Sequence, residues 1–210
     1  MISALLLFTL LAPSAEAAVG TVALCQQPNW VTPAKTQDGL FHGDLMMKCK
    51  LELPGQTQRQ TAQFEALKAG IIAKIQKESI IHSEPPAEAF KSNSDLIWDV
   101  SHRIQEDGGN VVIREIAFIQ TDLKQNLIYR THSKEVKADG MAGFLKSVNF
   151  TMKVDASQLH SIEVEFRNEV KVERPWYAID FIFSPIAQNI CFEKMNKVKT
   201  RLLPWVVSFL

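Results

Sequence analysis

The chain has 210 residues, 46% of them hydrophobic and 22% charged, with 23 basic and 23 acidic side chains and no net charge. Such balance gives no long-range field to draw in nucleic acid or an anionic membrane, so neither is implied as a partner. The length suits one domain with a sizeable core.

An apolar run from Ala4 to Ala12 opens the chain, followed by Pro13, Ser14 and Ala15-Glu16-Ala17. The run is far shorter than the ~20 residues of a membrane span. It fits the core of a secretory signal, and Ala15 and Ala17 give the small-x-small pattern of a cleavage site after Ala17. No Lys or Arg precedes it; a buried N-terminal helix is the alternative, opposed by Pro13. Residues 1–17 are therefore expected to be a signal peptide and the chain to be exported, periplasmic or extracellular. Removal leaves 210 − 17 = 193 residues, with 23 basic and 23 − 1 = 22 acidic side chains. A lipid anchor on Cys25 is disfavoured, because Leu24 stands where a small residue is needed. No later apolar run is long enough to span a membrane.

Residues 18–40 hold Pro28, Pro33, Asp38 and Gly39 and read as an irregular segment with one short strand at Val19–Leu24. From there to residue 210 the chain reads as a single α+β domain. Leu45, Met47, Cys49, Leu51 and Leu53 alternate with polar or flexible residues, the two-residue period of a half-buried strand, which Pro54-Gly55 ends. Between Thr57 and Ser79 the period lengthens. Phe64, Leu67, Ile71 and Ile75 recur at three and four, which predicts an amphipathic helix weakened by Gly70. Pro85-Pro86 stops it, with one helical turn over 87–91.

Residues 95–174 return to period two. Leu96, Trp98 and Val100, continued by His102 and Ile104, form one strand; Asp107-Gly108-Gly109-Asn110 is a hairpin turn. Strands follow over 111–121 and 126–137, then a turn at Asp139-Gly140. Val148, Phe150, Met152 and Val154 alternate next. In the last long strand Ile162, Val164, Phe166, Val170 and Val172 share a face with Asn168, against Glu163, Glu165, Arg167, Glu169, Lys171 and Glu173. Hairpin-linked strands without crossover helices predict an antiparallel meander with one wet face. A further strand is expected at 177–183. Ser184-Pro185 then starts a helix with a buried stripe of Ala187, Cys191, Met195, Val198 and Leu202, and Pro204 ends it.

The order strand, helix, about six or seven antiparallel strands in all, long C-terminal helix resembles the helix-grip fold of the START/Bet v 1-like superfamily, which includes polyketide cyclases. The resemblance spans Asp44 to Leu203 as a pattern of elements. It implies a curved sheet around the final helix, with a cavity between them. One long helix after the first strand departs from the two short ones usual there. A lipocalin-like barrel, a cystatin- or NTF2-like sheet and the half-barrel of periplasmic lipoprotein carriers are the other readings of the pattern.

No catalytic signature is present: there is no phosphate loop, G-x-S-x-G, H-E-x-x-H or C-x-x-C. The five histidines are widely spread, so neither a metal nor a cofactor is implied. Of three cysteines one pair can bridge in an oxidising compartment, and Cys25 with Cys49 is favoured because both lie near the N-terminus; Cys49 and Cys191 could equally be buried apolar residues. Asn149-Phe150-Thr151 matches a glycosylation acceptor. Asn168 alone breaks an apolar face, and in a core it must find a partner. Set in a cavity it would orient a mostly apolar ligand, with Phe150, Met152, Phe166 and Met195 as walls; the same residues would equally fill a solid core. Three functions follow. A binding protein for a hydrophobic small molecule or lipid requires the cavity. An enzyme requires a buried acid–base pair, such as His102 or His132 beside Asp99 or Glu115. A ligand-free envelope interaction protein requires an exposed apolar patch.

Overall fold

A computed structural model of the chain describes residues 22–52, 61–91, 95–106, 109–122, 126–139, 144–158 and 161–209. The signal segment 1–17, the turn residues Pro54-Gly55, and Asp107, Gly108 and Gly140 lie outside the described residues.

Among the described residues nine strands and three helices follow one another. β1 (Val22–Cys25), β2 (Asn29–Gln37) and β3 (Leu40–Glu52) come first, then α1 (Thr61–Glu78). β4 (Ile80–Ser83) and α2 (Ala87–Lys91) lead into the long meander. This comprises β5 (Leu96–Glu106), β6 (Gly109–Thr121), β7 (Asn126–Ala138), β8 (Leu145–Asp155) and β9 (Ser161–Glu173). α3 (Asp180–Val207) closes the chain. The strands form one antiparallel sheet in the order β1-β3-β9-β8-β7-β6-β5-β4, with β2 beside β3.

The short strand expected at Val19–Leu24 overlaps β1, while the rest of the segment expected to be irregular also supplies β2. Both lie along the same edge of β3, β1 pairing with Cys49–Glu52 and β2 with 40–46. They are one edge strand interrupted at Pro28. β2 went unread because it carries Pro33 and two register shifts, which erase its alternation. Its turn was signalled: Asp38 (φ 52°) and Gly39 (φ 75°) form the two-residue hairpin that needs positive φ at both positions.

The two periodicities place the core. Phe64, Leu67, Ile71 and Ile75 of α1 are all buried, as are Ile162, Val164, Phe166, Asn168, Val170 and Val172 of β9. The apolar stripe of α3 is buried through Met195, Val198, Leu202, Leu203 and Val206. At ~1.5–3 kcal/mol per large apolar side chain, that stripe supplies on the order of 10 kcal/mol before entropy is subtracted. α3 lies against β2, β3 and β9. Trp30 of β2 packs edge-on against Phe192 of α3 and Phe41 of β3 (ring centroids 5.4 and 6.3 Å), so the edge strand also clasps the helix. The far end of α3 meets α1 at Gly70, where a Cβ would lie 2.6 Å from the ring of Phe209.

The boundaries of α3 differ from expectation. No strand forms at 177–183; a turn at 176–177 passes directly into the helix at Asp180. Arg174 fixes this entry, pairing with Asp180 at 3.1 Å and donating to the Ala178 carbonyl. Asp180 suits the positive end of the helix dipole. Pro185 and Pro204 both lie inside the helix. Each removes one N–H donor near an end, and beyond the second the helical pattern resumes with Ser208 N–H donating to the Pro204 carbonyl at 3.0 Å.

Candidate functional site: a cleft between sheet and helix

A cleft of about 60 Å³ separates the first half of α3 from β8 and β9. Leu145, Val148, Val170 and Val172 form its floor. Phe183, Ile186, Ala187, Ile190 and Cys191 form its roof. These side chains meet there because they occupy the inward series of β8 and β9 and the inner stripe of α3.

Two polar side chains interrupt this lining, Asn168 and Lys194. Asn168 is 1% exposed, and its Oδ1 accepts no hydrogen bond from a described residue. An amide oxygen left so costs about 1–3 kcal/mol. Lys194 is 4% exposed. It is absent from the stripe read from the sequence, but it follows Ala187 by seven and Cys191 by three, which sets it there. Cys191 is a free thiol, and burial pushes its pKa up to about 12.

Of the expected ligand residues, Asn168 lines the cleft. Met152, Phe166 and Met195 are buried in the core beside it rather than on its surface. Phe150 is half-buried, its ring tilted against Tyr129. The cleft residues from Leu145 to Val148 and from Phe183 to Ile190 went unnamed. Apolar alternation marks a residue as inward but not as bordering a gap.

A second group of polar side chains lies on the same inner face. Glu115 of β6 is buried and His102 of β5 is partly buried, with Nδ1 3.6 Å from Oε1. That distance is too long for a hydrogen bond. Burial alone lowers the His102 pKa to about 4. Burial raises that of Glu115 to about 7, partly offset by a hydrogen bond to Thr131. The pair is therefore imidazole beside a half-protonated carboxyl near neutrality, not a salt bridge. Asp99 and His132 lie on the other face. Asp99 is gripped by Arg114 and Lys134, and the Arg114 hydrogen bonds lead in holding its pKa down at about 2. His132 is exposed.

The Cys25–Cys49 pair is bridged, joining β1 to β3 at directly opposed positions with Cα atoms 4.0 Å apart. No group of three or more metal-ligating side chains occurs among the described residues. None of the described helices is long and apolar enough to cross a membrane.

A curved antiparallel sheet folded on a long C-terminal helix is a helix-grip arrangement, as the pattern of elements implied. No family model matches the chain, and no curated protein does. Among solved structures it is similar to human STARD10, with 12% identity and a TM-score of 0.40 over 90% of this chain and 75% of that one. It is similar to the lipid transfer and protein localization domain of human StarD13 (DLC2), with 10% identity and a TM-score of 0.41 over 87% and 89%. A STAR-related lipid transfer protein fragment from Xanthomonas axonopodis shares 7% identity, with a TM-score of 0.36 over 76% and 91%. These are likenesses of outline alone.

Proposed function

We propose that the chain is an exported protein that binds a hydrophobic small molecule or lipid between β8, β9 and α3. The observation that carries this reading is the apolar cleft with one buried, partnerless amide oxygen at Asn168. Apolar walls with a few convergent polar groups are the usual make-up of a small-molecule site, and Asn168 and Lys194 would orient a polar end. At about 60 Å³ the cleft is well short of the ~300–1,000 Å³ of such sites, so binding requires the first half of α3 to move outward. The helix is suited to that movement. Phe181, Ile182 and Ile186 are largely exposed, and Pro185 removes one hydrogen bond from the same turn. The Cys25–Cys49 bridge supports an oxidising compartment.

Native mass spectrometry of the protein purified from its own host tests the reading. A co-purifying lipid-sized mass is expected, and Val148→Trp, which fills the cleft, should remove it with the fold retained. A bare chain that also takes up no fluorescent fatty acid from solution would overturn it. Sequencing of the mature N-terminus tests export and should begin at Ala18.

The His102–Glu115 pair favours a second reading, an enzyme of the cyclase or hydrolase kind working in the same interior. A carboxyl with a pKa of about 7 beside a neutral imidazole is suited to proton transfer. Turnover of an ester or polyketide-like substrate that is lost in Glu115→Gln would support it. Equal turnover in that variant removes it.

A further inference from the structure

The outer face of the sheet carries a second, polar depression of about 460 Å³ across β2, β3, β9 and β8. Several cross-strand charges on this face are complementary. Lys48 pairs with Glu165 at 3.2 Å, Lys146 with Glu173, and Lys50 stands opposite Glu163. Asp44 and Glu169, which oppose each other, share Arg167, which reaches Asp44 at 2.7 Å and Glu169 at 3.1 Å. Arg167 thus bridges both carboxylates of the depression and offsets one of their two charges, which the two lysines of the next row exceed.

The adjacent row carries no acid. Lys35 opposes His42, His42 opposes Lys171, and Lys171 opposes Ser147. All four line the depression, and neither lysine nor His42 has an ion pair with a described residue. The row sets two lysines and an imidazole side by side with no carboxylate opposite them, an arrangement that an anion complements. Register shifts at both walls, in β2 between Thr32 and Lys35 and in β8 between Leu145 and Ser147, accompany the depression.

We infer that this outer depression is an anion site, taking a phosphomonoester on the Lys35–His42–Lys171 row with Ser147 as a hydrogen-bonding neighbour. The phosphate can come on a soluble molecule or on a lipid headgroup; the chemistry recognised is the same. The site lies on the opposite face of the sheet from the cleft and does not depend on the cleft's function.

The test is a ¹H–¹⁵N NMR titration of the folded protein with glucose 6-phosphate, and in parallel flotation with phosphatidylcholine vesicles with and without phosphatidic acid. Saturable shifts at His42 and at the amides of residues 169–171 are expected for a soluble source. Flotation dependent on phosphatidic acid is expected for a headgroup. The double variant K35E/K171E should weaken whichever is seen roughly tenfold or more, with its melting temperature unchanged or raised. K50E, on the same face but outside the depression, should bind as the parent does. Absence of both signals overturns the site, and so does equal loss in K50E.

Discussion

Glu115 can be followed by pH. Its folded pKa of about 7 exceeds the ordinary 4.5 because burial disfavours the carboxylate. Its contribution to stability is fully present below pH 4.5 and is lost as pH rises through 7, on the order of 3 kcal/mol in all. Glu115→Gln cannot ionise. Urea unfolding at pH 5 and pH 8.5 should show the parent losing about that much relative to the variant. His102 has the opposite sign: its lowered pKa gives stability that is present above 6.5 and lost as pH falls through 4. Asn168 separates packing from binding. Replacing a partnerless buried amide by Leu should leave unfolding free energy unchanged or raise it by up to about 1 kcal/mol, while ligand affinity falls. A stability loss of several kcal/mol would show that the amide serves the fold. Asn168 was legible because it interrupts five inward apolar residues of one strand. His102 and Glu115 were legible in the same way, each falling in an apolar alternation. Lys194 was not, because its charge masked its place on the helix.

The elements divide by the regularity of their pattern. β9 and α1 follow their periods without interruption, and their buried faces are those the spacing implies. β2 could not be read, since Pro33 and two register shifts scatter its inward residues, leaving Trp30 and Ala34 partly buried. Yet β2 sets much of the grip. Trp30 reaches Phe192 over Gly43, where a Cβ would meet Phe41 at 2.9 Å, Trp30 at 3.0 Å and Val170 at 3.3 Å. Gly43→Ala should therefore cost about 1–3 kcal/mol by overpacking. Thermal unfolding followed by Trp fluorescence checks this, and an unchanged midpoint would mean the ring shifts freely. The start of α3 was misplaced for a different reason. Ser184-Pro185 carries a strong local start signal, but the Arg174–Asp180 pair sets the true entry, and no local pattern reports it.

At the scale of the molecule, Cys191 reports on the cleft. It is the free cysteine among the described residues and lines the roof beside Ile190. If the first half of α3 swings out to admit a ligand, alkylation of Cys191 should proceed at the opening rate and slow when a fatty acid is bound. Ile186→Ser, which weakens the roof, should speed it. Labelling no faster than global unfolding would leave the cleft too rigid for exchange. The general architecture was legible because sheet and helix have different periods. The volume between them was not, since it depends on how closely α3 rests on β8 and β9.

The sheet stops at β4 on one side and at β1 and β2 on the other. Among the described residues it does not join into a ring, and α3 lies over its β2, β3 and β9 side. In a closed barrel the interior is dimensioned by strand number and stagger, so enlarging it means rupturing a ladder. Here a guest need only displace side-chain contacts along one helical turn or two. Under the proposed binding role, an interior of this build is elastic, and its empty size is a lower bound on the guest it would take.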